Sequence, residues 1–353
     1  MAQSVRQRGE LVRAFVLGNV EQHASDIVRL TTEKFGITRQ AVNKHLNRLV
    51  QGGALIEEGN TKARAYRLHP LVEWWGRYDL GDQLDEDKVW REDVVATLEG
   101  LPANVLNIWH HGFTEMFNNA IDHSEGKEVG VYVERTALQT RIMILDNGVG
   151  IFKKICARFH LEDERHAVLE LAKGKLTTDP AHHTGEGIFF TSRMMDRFII
   201  HAGDVFFAHE FGDPKDWILH AEKDANVGTR ITMYLDNHTA RTAKKVFDEF
   251  ASDDGDYAFS KTVVPVDLAR YGQDQLVSRS QAKRMLARVD RFRTVVLDFK
   301  GIEAIGQAFA DETFRVFNTE HPEVELVAVN CSDAVQQMIT RTGFHRIAPV
   351  APN

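Results

Sequence analysis

The chain has little cysteine and no long apolar segment. Its 353 residues include only Cys156 and Cys331, which lie far apart. That usage is typical of free thiols in a reducing compartment, and zinc motifs bring their ligands in close pairs. No apolar run approaches the ~20 residues of a membrane-spanning helix. The opening residues also lack the apolar core of a secretory signal. We therefore expect a cytoplasmic protein that does not enter a membrane.

The composition is otherwise that of a globular protein. Apolar residues make up 43% and charged residues 27% of the chain, and the length predicts two or three domains. The net charge is −8, but it is unevenly distributed. Residues 1–75 carry eleven lysines and arginines against seven acidic residues. A basic head on an acidic body indicates that the head is the part that meets a polyanion.

The head is predicted to fold as three helices and a hairpin. Apolar spacing and capping residues place the second helix at 26–35 and the third at 39–51. Two short apolar segments, 54–56 and 65–68, then flank a polar turn and predict a strand pair. This order resembles a winged helix-turn-helix domain covering residues 1–75.

Polar side chains in the head predict contacts with double-stranded DNA. Four lie on the outward face of the third helix and two lie in the wing. Side chains of these types can form hydrogen bonds with base edges or with phosphates. They are Arg39, Gln40, Asn43, Lys44, Lys62 and Arg64. The alternative is a winged domain whose solvated helix serves only protein contacts or dimerisation.

Residues 76–100 are acidic and rich in tryptophan. Val89, Val94, Val95 and Leu98 have helical spacing. We predict a connecting helix here, which is also a candidate contact in a homodimer.

The first chemical motif of the middle region, 101–240, is the segment FTEMFNNAIDHS. It is predicted to be helical, and Glu115 and Asn119 lie four residues apart on one face. An asparagine oxygen can ligate Mg²⁺, and a nearby glutamate can accept a proton from a water or hydroxyl nucleophile. Asp122 and His123 continue the motif at the end of the helix.

Glycine-rich motifs follow in three further segments. Asp146 ends an apolar strand, where its carboxylate can accept a hydrogen bond from an adenine amino group, and the glycines after it permit a sharp turn. A second glycine pair precedes an apolar helix whose first amides can hold phosphate oxygens. Thr229 opens a last strand and can assist the adenine contact. The glycines of the two pairs are Gly148, Gly150, Gly185 and Gly187.

Together, the four ordered segments resemble the N, G1, G2 and G3 boxes of the GHKL superfamily of ATPases and kinases. The resemblance covers about 130 residues and implies a Bergerat-type α/β sandwich that binds ATP with Mg²⁺ at Asn119 and has Asp122 among its nucleotide-binding residues. It also implies a mobile lid over roughly 152–184, which holds four residues that are weaker candidates for phosphate contacts. These are Lys173, Lys175, His182 and His183.

The last region, 260–350, alternates helical and strand patterns and predicts a third α/β unit. The segment beginning LVSRSQAKRMLARV resembles a STAS-like domain of unknown function, and STAS domains form the fold of anti-sigma antagonists. In those antagonists a serine in the loop after the strand corresponding to 295–299 is phosphorylated. The corresponding loop, 301–308, contains no serine or threonine. The resemblance implies a regulatory protein partner for this unit.

The expected architecture is therefore a multidomain α/β (α+β) protein with a winged helix, a Bergerat-type sandwich and a STAS-like unit. It favours a regulator in which Mg-ATP binding, with or without slow hydrolysis, changes the arrangement of a DNA-reading head and an interaction tail. One alternative is an anti-sigma-type serine/threonine kinase that acts on another chain. Another is a structural adaptor with a degenerate pocket.

Overall fold

The computed structural model describes residues 2–59, 64–81, 83–177, 184–220, 228–251, 259–270 and 275–348. Helices and strands are mixed along the chain, and the strands of the described residues form three sheets. The predicted α+β class is confirmed.

The head contains three helices and a two-stranded antiparallel hairpin with its own apolar core. The left-handed Gly36 ends the second helix, and the Thr38 hydroxyl caps the third by accepting from the Ala41 amide at 3.2 Å. The elements are α1 (Ala2–Asn19), α2 (Ile27–Phe35), α3 (Arg39–Gln51), β1 (Leu55–Glu58) and β2 (Ala65–Leu68).

The middle region is built on a seven-stranded antiparallel sheet. Its elements are β3 (Val72–Asp79), α4 (Glu86–Val89), α5 (Ala103–His123), β4 (Glu128–Arg135), β5 (Gln139–Asp146), α6 (Ile151–Phe159), α7 (Glu164–Lys173), α8 (Gly187–Met194), β6 (Arg197–Ala202), β7 (Val205–Glu210), β8 (Asp213–His220), β9 (Thr229–Asp236) and α9 (Ala243–Phe250). The strand order is β3-β4-β5-β9-β6-β7-β8. Alternate residues of β4, β5 and β9 are buried, and α5 contributes seven buried side chains to the same core.

The connection between head and sheet differs from the predicted one. Residues 72–79 form the edge strand β3, which pairs with β4 in a register that joins Val72 to Arg135 and Asp79 to Glu128. The predicted helix is present only from 86 to 98, where α4 continues through a π-helical turn and a 3-10 turn. The strand thus crosses the boundary expected at residue 75.

The C-terminal unit has a parallel three-stranded sheet, β10-β11-β12. Its elements are β10 (Lys261–Pro265), α10 (Arg279–Leu286), β11 (Thr294–Asp298), α11 (Gln307–Ala310), α12 (Phe317–Glu320), β12 (Glu325–Val329) and α13 (Asp333–Arg341), with a π-helical turn Asp311–Val316 between α11 and α12. The predicted alternation of strand and helix is present. Ser278 and Gln281 form a capping box at the start of α10.

The middle region and the C-terminal unit share one continuous apolar core. Phe259, just before β10, packs against Phe189 and Phe190 of α8, with ring centroids 4.5 and 4.9 Å away. The head core is separate from this one. The sheet and the C-terminal unit are therefore packed as a single hydrophobic body.

A buried ion cluster joins α7 to the C-terminal unit. The Lys173 ammonium, 1% exposed, donates to Glu170 Oε1 at 2.7 Å and to the carbonyl oxygens of Ala287 and Arg284 at 2.9 and 3.2 Å. Arg288 donates to the second Glu170 oxygen at 2.7 Å. A buried ammonium needs such partners, because its charge has lost its water shell.

The same cluster shifts the titration of Glu170. Burial raises its pKa, but the His166 ring, 3.6 Å away, and the charges of Lys173 and Arg288 outweigh burial and lower the pKa to about 2. The carboxylate therefore contributes stability that is present above the ordinary pKa of about 4.5 and is lost as the pH falls toward 2.

We predict that Glu170→Ala lowers the free energy of unfolding by about 3–5 kcal/mol at neutral pH, because it leaves the Lys173 charge buried without its carboxylate. Urea unfolding measures the change. The matched control is Glu162→Ala, which removes an exposed partner of Arg284 and should cost at most about 1 kcal/mol. Equal effects of the two substitutions would contradict the assigned role of the buried pair.

Candidate functional site

A cavity of about 260 Å³ lies between the sheet and helices α5 to α8. This is close to the lower end of the range for small-molecule sites, roughly 300–1,000 Å³. Six of the predicted site residues line it, from four separate segments: Glu115, Asn119, Asp146, Gly185, Gly187 and Thr229. Apolar side chains make up much of the remaining wall, namely Met116, Ala120, Ile144, Ile151, Ile155, Leu171, Leu176, Ile188 and Ile231.

Asp146 is fixed at the end of β5 by backbone amides. Its Oδ1 accepts from the Gly148 amide at 2.9 Å and from the Thr229 amide at 3.1 Å. Burial raises the pKa of Asp146, and the hydrogen bonds from Gly148 and Thr229 oppose that rise. A carboxylate has further acceptor capacity, so Asp146 can still receive a hydrogen bond from a ligand.

The turn after Asp146 is packed so closely that it requires glycine. A Cβ on Gly148 would overlap the Ser124 carbonyl, and a Cβ on Gly228 would overlap the Asp146 carbonyl. Gly150 has φ +86° and precedes α6, whose first amide, that of Ile151, donates to Thr229 Oγ1 at 3.0 Å. Gly148 and Gly150 thus shape the wall of the cavity without lining it.

Glu115 and Asn119 lie on one face of α5 and both reach the cavity, as their spacing predicts. The Glu115 carboxylate packs against Gly187, where a side-chain Cβ would overlap Glu115 Oε2. Asp122, on the same helix, is exposed and lies outside the cavity lining. Of the predicted residues on α5, Glu115 and Asn119 therefore face the cavity and Asp122 does not.

The start of α8 forms another part of the wall. Gly185 has φ +74°, and a Cβ there would collide with the Leu176 backbone. Its carbonyl accepts from the Leu176 amide at 3.2 Å. The N-cap residue Glu186 makes no side-chain capping bond, so α8 begins without a side-chain cap beside the cavity.

The expected lid differs from the structure in its described part. Lys173 does not face the cavity, because its ammonium is held by Glu170 and the C-terminal unit. Lys175 donates to the Arg291 carbonyl at 3.1 Å and lies over the Phe292 ring. His182 and His183 lie outside the described residues.

Lys154 is a cavity residue that the sequence motifs did not single out. It lines the wall with Ile151 and Ile155, and its ammonium donates to the His123 carbonyl at 2.7 Å and pairs with Glu125 at 2.9 Å. The sequence could have indicated Lys154 through helical spacing after Gly150, because positions 151, 154 and 155 share one face of a helix. The cavity therefore has a cation as well as the carboxylates of Glu115 and Asp146.

In the head, the four predicted residues of α3 share an exposed face. The four residues are exposed, whereas the residues on the opposite face of the helix, Val42, Leu46 and Leu49, are buried. The exposed residues are Arg39, Gln40, Asn43 and Lys44. In the wing, Arg64 pairs with Glu57 at 2.9 Å across the hairpin. Lys62 lies outside the described residues.

In the C-terminal unit, the loop between β11 and α11 contains the left-handed Gly301. The nearest downstream hydroxyl, that of Thr313, is completely buried. The Ser278 hydroxyl is engaged in the capping box of α10.

Comparison with protein-family models matches residues 281–336 to a STAS-like domain of unknown function (DUF4325). The matched segment runs from α10 to α13 and covers β11 and β12. The predicted STAS-like character of this unit is thereby confirmed. No curated protein matches the chain. Among the described residues, no helix is both long and apolar enough to cross a bilayer.

Proposed function

We propose that the cavity binds ATP together with Mg²⁺ and that the chain is a nucleotide-controlled, DNA-binding regulator. The observation that carries the proposal is the convergence of Glu115, Asn119, Asp146, Gly187 and Thr229 on one apolar-walled cavity. These residues come from segments up to 114 positions apart. Because they also resemble the boxes of GHKL proteins, we propose that they contact one nucleotide.

The adenine fits the apolar part of the cavity. Ile144, Ile151 and Ile231 offer apolar contact area for the ring, and Asp146 would accept a hydrogen bond from the exocyclic amino group. The amides of Gly148 and Thr229 hold the Asp146 carboxylate in place, so little reorganisation is needed on binding.

The phosphates and the metal ion belong beside α5 and the start of α8. Mg²⁺ is usually held by few protein ligands together with phosphate oxygens and water. Asn119 supplies the side-chain oxygen, and the described residues contain no group of three or more His, Cys, Asp or Glu side chains that could hold a metal ion alone. The Glu115 carboxylate, next to Gly187, is placed to accept a proton from an attacking water.

The contacts of α7 support control of the C-terminal unit by nucleotide. Leu171 lines the cavity, and Lys173, two residues later, donates to carbonyl oxygens of Arg284 and Ala287 in that unit. If α7 has two positions relative to the sheet, a ligand that binds one of them more tightly shifts the equilibrium toward it, by as much as its affinities for the two positions differ. The C-terminal unit, which is bonded to α7, would then change its position relative to the sheet. ATP binding and slow hydrolysis would then alternate between two arrangements.

For nucleotide recognition, Asp146→Asn should weaken ATP binding by about tenfold to a hundredfold. The amide presents a donor where the carboxylate accepts, which costs about 1.5–3 kcal/mol. Isothermal titration with and without Mg²⁺ measures the affinity. The matched control is Asp122→Asn, which makes the same chemical change outside the cavity and should bind as the wild type does. Wild-type affinity of Asp146→Asn would contradict the proposed adenine contact.

For turnover, Glu115→Ala should retain ATP binding but slow hydrolysis about a hundredfold or more, the usual contribution of a general base. Labelled γ-phosphate follows the product: free phosphate identifies an ATPase, and label on added or copurifying protein identifies a kinase instead. Glu249→Ala, at an exposed position of α9, is the control. Normal turnover by Glu115→Ala would show that another group is the base.

For DNA, the double substitution of Arg39 and Lys44 by alanine should weaken binding to duplex DNA by about tenfold or more and reduce the salt dependence. Fluorescence anisotropy with a labelled random-sequence duplex at several salt concentrations measures both effects. The control is Arg29→Ala on α2, where the arginine already pairs with Asp26 and Glu33. If this control had the same effect, α3 would not be the contact surface.

A further inference from the structure

The seven-stranded sheet has two different edges. At one edge, β8 contacts β10 and the turn Val266–Ala269 of the C-terminal unit. At the other edge, β3 is paired only on its β4 side among the described residues. An eight-residue strand with one unpaired side is a template for another strand.

The register shows which groups of β3 face outward. Leu80 donates to the Lys127 carbonyl directly opposite it, so within β3 the even-numbered residues direct their main-chain N–H and C=O groups toward β4. In an antiparallel ladder the alternate residues direct their N–H and C=O groups the other way. Glu73, Trp75 and Arg77 therefore present their main-chain groups to the open edge, and no hydrogen bond to these main-chain groups is found among the described residues. Two of their side chains are bonded on the β4 side, Glu73 to the Tyr132 hydroxyl and Arg77 to Glu128.

The side chains of these three residues share the exposed face of the strand. Trp75 is 52% exposed, although its ring lies across Gly130 and 6.2 Å from the Tyr132 ring centroid. A large aromatic side chain is thus left half in solvent at the centre of the strand. Glu73 and Arg77 flank it with opposite charges.

This pattern is complementary to itself. If a second copy pairs antiparallel with its two-fold axis at Trp75, each Glu73 lies opposite the other copy's Arg77. The two Trp75 side chains then lie opposite each other, and Trp74 lies opposite Gly76, a large residue facing a small one. Shifting the register by two residues would remove both charge pairs. A two-fold axis requires such self-complementarity of the interface.

We propose that the open edge of β3 binds the β3 edge of a second copy of this chain, forming one continuous sheet across a symmetric dimer. Each of the pairs Glu73–Arg77, Trp75–Trp75 and Arg77–Glu73 exchanges two main-chain hydrogen bonds. The proposal depends on neither nucleotide nor DNA binding. Because β3 begins four residues after β2 ends, such a dimer also carries two heads related by its axis, as a palindromic site requires.

Charge exchange within the full chain tests the proposal by sedimentation equilibrium. Arg77→Glu and Glu73→Arg should each raise the dimer dissociation constant by about tenfold or more, because both symmetry-related pairs become like-charged. The double variant E73R/R77E restores opposite charges and should associate as the wild type does. An equimolar mixture of the two single variants should also form dimers, since every cross-strand pair is then opposite in charge.

The matched control is Arg197→Glu, which breaks a comparable cross-strand pair with Glu210 away from the edge and should leave association unchanged. Hydrogen exchange of the wild-type protein provides a readout without substitutions. The amides of residues 73, 75 and 77 should be protected at high protein concentration and exchange faster on dilution. A monomeric wild type, amides that exchange at the same rate at all concentrations, or folded single variants that associate as the wild type does would overturn the proposal.

Discussion

The buried ammonium of Lys173 is the constraint on which the relation between the cavity and the C-terminal unit depends. Its acceptors come from α7 and from the end of α10, so neither element can leave the other without exposing an unpaired charge to apolar surroundings. Lys175 and Arg291 strengthen the junction, since each side chain donates to the other residue's carbonyl at 3.1 Å. The helix that closes one side of the cavity is therefore also a fixed part of the C-terminal interface.

Much of the candidate site could be predicted because its chemistry is local. The spacing of Glu115 and Asn119 sets a common helix face whatever surrounds it. Gly148 is dictated by the nearby Ser124 carbonyl, and Gly185 by its left-handed backbone and the Leu176 backbone beside it. Asp122 has nearly the same angle around the helix as Glu115, seven residues earlier, yet it is exposed and outside the cavity lining, so helical spacing alone does not decide which residues of the motif reach the cavity.

The parts that could not be predicted depend on long-range packing. Lys154 belongs to the cavity because the end of α5 supplies a carbonyl for its ammonium. The position of Lys173 is decided by residues more than 110 positions later. Strand β3 has tryptophans, a glycine and charges instead of a clean apolar alternation, and it is a strand because β4, about 55 residues downstream, completes its hydrogen bonds.

The sheet also determines whether the head moves with the cavity if nucleotide binding changes the domain arrangement as proposed. Leu138, directly before β5, packs against the head core, and Asp146 ends the same strand at the cavity. A paired central strand is stiff, and eight residues of it span about 27 Å. The head therefore contacts the strand that carries Asp146, whereas α7 contributes Leu171 to the cavity wall and is bonded to the C-terminal unit through Lys173. A nucleotide in the cavity would act on the position of α7 against the sheet. The head, which contacts the sheet through Leu138, is expected to move with the sheet.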